Sequence, residues 1–136
     1  MDCIFCKIIR GEIPSAKLYE DENTLAILDI NPIAVGHALI ISKEHYPAFL
    51  ETPPETMAKL MKTSYKIIDA VVKGTGAEGY NLLINNNRCA GQVIPHLHIH
   101  VIPRKKGDGL RFEWIPRPYR EGEMDKTAKA IKESYS

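Results

Sequence analysis

At 136 residues the chain has the length of one domain, and residues 1–136 are expected to share a single core, with 105–136 as a C-terminal extension. Hydrophobic residues make up 44% and charged residues 26%, a balance that excludes a disordered or fibrous chain. With 18 basic against 17 acidic residues the formal net charge is +1, so neither nucleic acid nor a membrane is an expected partner, although a local phosphate site remains open.

Cys3 to Arg10 is expected to form a short helix, stopped by Gly11 with Pro14 beyond it. Lys17 to Glu20 and Thr24 to Asp29 read as strands, and the short turn-like Asp21-Glu22-Asn23 between them favours an antiparallel hairpin. A third strand, His37 to Ser42, follows Asn31-Pro32 and Gly36. The clearest helix opens at Thr52-Pro53-Pro54-Glu55, with Thr52 as cap, Pro53 at the first position and Glu55 completing a capping box. Met57, Leu60, Met61, Tyr65, Ile68, Val71 and Val72 recur at helical spacing as a core stripe, which Gly74 ends. Tyr80 to Asn85 and His96 to Ile102 read as strands four and five, on either side of the polar Asn86 to Gln92. Lys105 to Glu123, rich in Lys, Gly, Pro and Arg, reads as an extended tail, and Met124 to Tyr135 as a terminal helix. Five short strands with grouped helices give an α+β fold built on a five-stranded antiparallel sheet.

The longest apolar runs fall far short of the ~20 residues that a membrane span requires. Lys7 and Arg10 interrupt the first apolar run, unlike a signal peptide. Three cysteines, two of them spaced Cys3-x-x-Cys6, fit a reducing compartment and metal binding better than a disulfide framework. The expected location is cytoplasmic.

The segment His96-Leu97-His98-Ile99-His100 carries the chemistry. Strand side chains alternate, so the three histidines share one face and the apolar residues take the other. A sheet normally fills such a row with packing side chains, which argues against three merely surface or core histidines. Two chemistries fit the spacing. Three imidazoles bind a metal with one open position. Alternatively, neutral imidazoles attack and protonate at phosphorus, with backbone N–H groups of the Gly91-Gln92 loop holding phosphate oxygens.

The same row, preceded by Gly91-Gln92, resembles the signature of the histidine triad (HIT) superfamily of nucleotide hydrolases and transferases, in particular its zinc-containing hydrolases. Ile4 to Ile9, Gly11 to Ser15, Leu28-Asp29-Ile30, Gly36-His37, Ser42 to His45 and Asn85 follow in that family's order, so the likeness covers nearly the whole chain. His100 at the third position resembles the hydrolase branches, since the nucleotidylyl-transferase branch carries Gln there. The resemblance implies a sheet with two main helices, a homodimer that joins two sheets, and a purine nucleotide as ligand. It implies that His98 attacks phosphorus to form a nucleotidyl-histidine, with His100 and His37 supporting it and His96 beside the leaving group. It further implies that Asp29 binds the ribose, that Ile4, Phe5, Ile8, Leu28 and Ile30 wall the base, and that Asn85 and Gln92 face the phosphates. Cys3, Cys6, His45 and His96 would hold a structural zinc, and no catalytic metal is required.

Taken singly, Phe5, Ile8, Leu28 and Ile30 also suit a core, and Asp29 also suits a turn that caps Asn31-Pro32. Val93 departs from the family, which often places Ser or Thr directly after Gly-Gln. The expected activity is release of a nucleoside 5′-monophosphate from a phosphoramidate or dinucleoside polyphosphate. The alternatives are a nucleotide-binding regulatory module with little turnover, to which Val93 lends weight, and a three-histidine metal enzyme.

Overall fold

Strands that are apolar on both sides need cover on both sides, and the structure supplies it with helices of very different length. A computed structural model describes residues 3–135. In chain order it contains α1 (Ile4–Ile9), β1 (Lys17–Glu20), β2 (Thr24–Leu28), β3 (Ala38–Ser42), α2 (Pro54–Thr75), β4 (Gly79–Leu83), a 3-10 turn (Arg88–Ala90), β5 (His98–Arg104) and α3 (Glu123–Lys132). All neighbouring strands pair antiparallel, in the order β1-β2-β3-β5-β4. The expected α+β architecture with its five-stranded antiparallel sheet is therefore present.

Alternation along the three central strands separates two apolar layers. Ala26, Ala38, Ile40, Ile99 and Val101 pack under α2 with Met57, Leu60, Ile67 and Val71. Leu25, Ile27, Leu39 and Ile41 face the other way, against Cys3, Phe5 and Ile8 at α1. In the β3–β5 register His98 lies opposite Ile41 and His100 opposite Leu39, which puts both imidazoles in the α1 layer. The long helix thus anchors the back of the sheet, and the short one leaves much of the front open.

Several expected details differ. The Thr52 hydroxyl donates to the Ala48 carbonyl at 2.8 Å, so it does not cap α2, whose first turn starts with proline instead. The buried stripe of α2 is Met57, Leu60, Ser64, Ile67 and Val71, while Tyr65 is 79% exposed. The helix continues through Gly74 and ends at Gly76 in the left-handed region. The last strand begins at His98 rather than His96, because Leu97 N–H is taken by the Tyr46 carbonyl at 2.7 Å before the β3 ladder starts. Residues 111–121 contain no helix or strand, α3 buries no residue, and no helix among the described residues is long and apolar enough to cross a membrane.

Candidate active site

The open front of the sheet is a cleft of about 650 Å³, a size suited to a small organic ligand. It is lined by Ile4, Phe5 and Ile8 at α1, by Leu28 at the end of β2 with Asp29 and Ile30 just after it, by His98 and His100 of β5, and by Asn85, Gly91 and Val93. Phe5 meets the His98 ring edge-on, 4.9 Å between centroids. Most of the residues expected to touch a nucleotide therefore share one cleft. Ile13 to Ala16 line it as well, and so do Ile27, Asn31, Leu39 and Ile94, none of which the sequence assigns to the site.

Hydrogen bonds fix the tautomers of the row, since carbonyls only accept and backbone N–H groups only donate. His98 Nδ1–H donates to its neighbour's carbonyl, that of His96, at 2.6 Å, which leaves a lone pair on Nε2. Ile33 N–H donates to His37 Nδ1 at 3.1 Å, so a neutral His37 carries its proton on Nε2 and donates it to His100 Nδ1 at 2.9 Å. His100 then carries its own proton on Nε2. Burial pushes the pKa values of His37 and His98 below the ordinary imidazole value, with Asp29 partly opposing the shift. His100 is pushed down to about 4, by burial first and then by His98 and His37. At neutral pH the row is thus uncharged: a free lone pair at His98, and a relayed N–H at His100.

Asp29 fills both roles open to it. Its Oδ1 accepts from Asn31 N–H at 2.9 Å, the turn cap, while Oδ2 lies 3.7 Å from His37 Nε2. The residue also lines the cleft.

His96 and Gln92 do not line the cleft. The fully buried His96 ring donates Nε2–H to the Ser42 carbonyl at 2.6 Å and turns Nδ1 toward Cys3 Sγ at 3.3 Å, Cys6 Sγ at 3.6 Å and His45 Nδ1 at 3.0 Å. It therefore stands apart from the leaving-group position expected for it. The three-histidine metal site is not formed, because the first histidine faces a different set of donors. Gln92 is also committed elsewhere: its amide bonds Asn87 N–H and the Pro47 carbonyl, at 2.8 and 2.6 Å, instead of pointing at a phosphate.

Cys3, Cys6, His45 and His96 bring four donor atoms within 4.8 Å of one another. A tetrahedral zinc with two sulfur and two nitrogen ligands has donor–donor edges of about 3.3–3.8 Å, and the nitrogen and sulfur spacings above lie close to that. The Ser42 bond also holds His96 in the tautomer that a ligand at Nδ1 needs. The set fits zinc. Asp29, His37 and His100 are also close together, but His37 Nδ1 already accepts from Ile33, so a metal on Nε2 would require a doubly deprotonated ring.

With this geometry in place, comparison with known proteins is informative. The HIT domain family matches residues 10–107, most of the chain. The chain belongs to the HIT family. Among its relatives, Adenylylsulfatase HINT3 of Arabidopsis thaliana is 51% identical over 132 residues, covering 96% of this chain, which spans 66% of that protein's length. Adenosine 5′-monophosphoramidase hnt1 of Schizosaccharomyces pombe is 41% identical over 132 residues, 96% of both chains. The crystal structure of a HIT protein from Bacillus subtilis superposes with a TM-score of 0.91 at 39% identity, covering 100% of this chain and 99% of the other. A zinc-bound histidine triad protein from Mycobacterium smegmatis matches with a TM-score of 0.77 at 41% identity, over 98% and 97% of the two chains. Val93, which follows Gly91-Gln92, is 86% exposed at the cleft and presents only methyl groups.

Proposed function

We propose that the chain is a nucleotide hydrolase that releases a nucleoside 5′-monophosphate, with purines preferred, from P–N or phosphoanhydride substrates through a nucleotidyl-histidine at His98. Relatives named as a phosphoramidase and an adenylylsulfatase support the reaction class. The observation that carries the mechanism is the His98 Nδ1–H bond to the His96 carbonyl, which leaves the Nε2 lone pair available. In the first step Nε2 attacks the α-phosphorus; a P–N bond forms, and the bond to the leaving nitrogen or oxygen breaks with its electrons going to the leaving atom, which takes a proton from solvent water in the open cleft. In the second step water attacks phosphorus and gives up a proton to solvent, the bond to Nε2 breaks, and the imidazole recovers its lone pair. His100 Nε2–H, held by His37, would donate to the phosphate oxygens, a neutral donor aimed at developing charge. The α1 side chains and Leu28 offer apolar surface for a base, and Asp29, in the same cleft, offers a carboxylate to accept from ribose hydroxyls.

Zinc at Cys3, Cys6, His45 and His96 would use all four positions for protein ligands, which suits a structural role and leaves none for water activation. Unpaired cysteines support a reducing, cytoplasmic setting. The exposed Tyr80 and Leu82 on edge strand β4 support a homodimer. We further take residues 105–136 as an extension, since the family match ends at 107.

His98→Ala should lower turnover of an adenosine phosphoramidate ~10³-fold or more while AMP still binds. Denaturant quenching of wild type at alkaline pH during turnover should trap a nucleotidyl mass on the His98 peptide. An unmodified peptide, together with an active alanine variant, would overturn the proposal. The methyl groups of Val93 favour one second reading, a nucleotide-binding module; AMP binding by wild type with no release from any phosphoramidate or polyphosphate would select it.

A further inference from the structure

Residues 87–92 close on themselves. Asn87 N–H donates to Gln92 Oε1 at 2.8 Å, and Gln92 N–H donates back to the Asn87 carbonyl at 3.2 Å, so a side-chain amide stands in for a strand partner. The other end of that amide donates from Nε2 to the Pro47 carbonyl at 2.6 Å. Gln92 is only 8% exposed, although Arg88 to Gly91 around it are exposed. Asn86 adds a second tie, its Oδ1 accepting from Phe49 N–H at 2.8 Å. Asn87 itself sits at φ 72°, a conformation that a non-glycine residue keeps only where its surroundings hold it.

What the ring holds in place matters for the cleft. Asn85, just before it, and Gly91, within it, line the same cleft as His98 and His100. Pro47, the anchor, follows Tyr46, whose carbonyl takes Leu97 N–H at the start of the triad strand. The amide thus ties a loop that lines the cleft to the segment that holds the start of the triad strand.

We propose that Gln92 is a positioning residue: it sets the 85–93 loop against the triad strand through Asn87 and Pro47, and does not itself touch substrate. This rests on the hydrolase reading only for the activity arm of its test. Gln92→Met keeps the length and removes both bonds. Gln92→Glu keeps an acceptor for Asn87 but sets a second oxygen against the Pro47 carbonyl. In both, trypsin should cleave the nucleotide-free protein after Arg88 at least about tenfold faster, with cleavage at other sites unchanged. In phosphoramidate turnover kcat should fall about tenfold and KM stay within about twofold, because the base wall and Asp29 lie on other elements.

Wild-type resistance at Arg88 combined with a loss of activity would mean direct substrate contact and overturn the proposal. So would faster cleavage throughout the chain, a change in KM alone, or an unaltered kcat. If the wild type proves not to hydrolyse phosphoramidates, the hydrolase reading fails by itself, and the Arg88 arm alone decides the positioning role: unchanged cleavage at Arg88 in both variants would overturn it.

Discussion

Acid should destabilise this protein through His100 in a way that a single substitution removes. In the folded chain this imidazole titrates at about 4, against about 6.5 when unfolded, because it is buried and faces His98 and His37. Between those values the unfolded chain binds a proton that the folded chain refuses, so stability is fully present above pH 6.5 and declines as pH falls toward 4. A displacement of about 2.5 pH units corresponds to about 3 kcal/mol lost between pH 7 and pH 4, at about 1.4 kcal/mol per unit. His100→Gln removes the titration and keeps a side-chain acceptor for His37 Nε2–H. Urea unfolding at half-unit pH steps should therefore show wild type losing about 3 kcal/mol more than the variant over that window. Acid release of a metal from the cysteine–histidine group affects both proteins and cancels in the difference. Curves that run parallel from pH 7 to 4 would refute the assignment of a buried, neutral His100.

Two further perturbations test the supports of the cleft. Elemental analysis of protein purified without chelator should find about one zinc per chain, and less than about a tenth of an equivalent would refute the site. Cys6→Ser should abolish the metal, lower the thermal midpoint and expose Lys7 on α1 to trypsin, since binding free energy at such a site is folding free energy. Gly36, at φ 93°, precedes His37, and a Cβ there would run into the Thr75 side chain and sit 3.3 Å from Pro103 Cγ. Gly36→Ala should lower unfolding free energy by about 1–3 kcal/mol in urea; an unchanged midpoint would show that the turn before His37 is not constrained.

The front and back of the sheet were legible because period two is a local property. Alternation alone put His98 and His100 on one face and Ile99 and Val101 on the other, and the β3 register agrees. What local pattern could not give is which distant groups satisfy a polar side chain. Thr52 reads as a cap by composition, yet its hydroxyl finds the Ala48 carbonyl one turn back. The stripe on α2 was misphased for a related reason. Ser64 looks unfit for a core, but its hydroxyl is satisfied by the Leu60 carbonyl at 2.7 Å, so a small polar residue packs where Tyr65 was expected. Ile13 to Ala16 form a connecting segment without periodicity; Ile13 to Ser15 enter the family-like opening without a role, and their place in the cleft is visible only in the fold.

His96 shows how one pattern serves two sites. It obeys the same alternation as His98 and His100, but the strand ladder starts only after it, and Leu97 is held by Tyr46. Freed from the ladder, the His96 ring is aimed by the Ser42 carbonyl at the two cysteines, and its own carbonyl fixes the His98 tautomer. One residue thus belongs to the cysteine–histidine group through its ring and holds the His98 imidazole through its carbonyl, at 2.6 Å. Phe5, between two cysteines in sequence, packs against both rings. A loss of metal is therefore expected to reach the cleft through geometry, by releasing α1 and the ring whose backbone orients His98, without the metal taking part in the reaction.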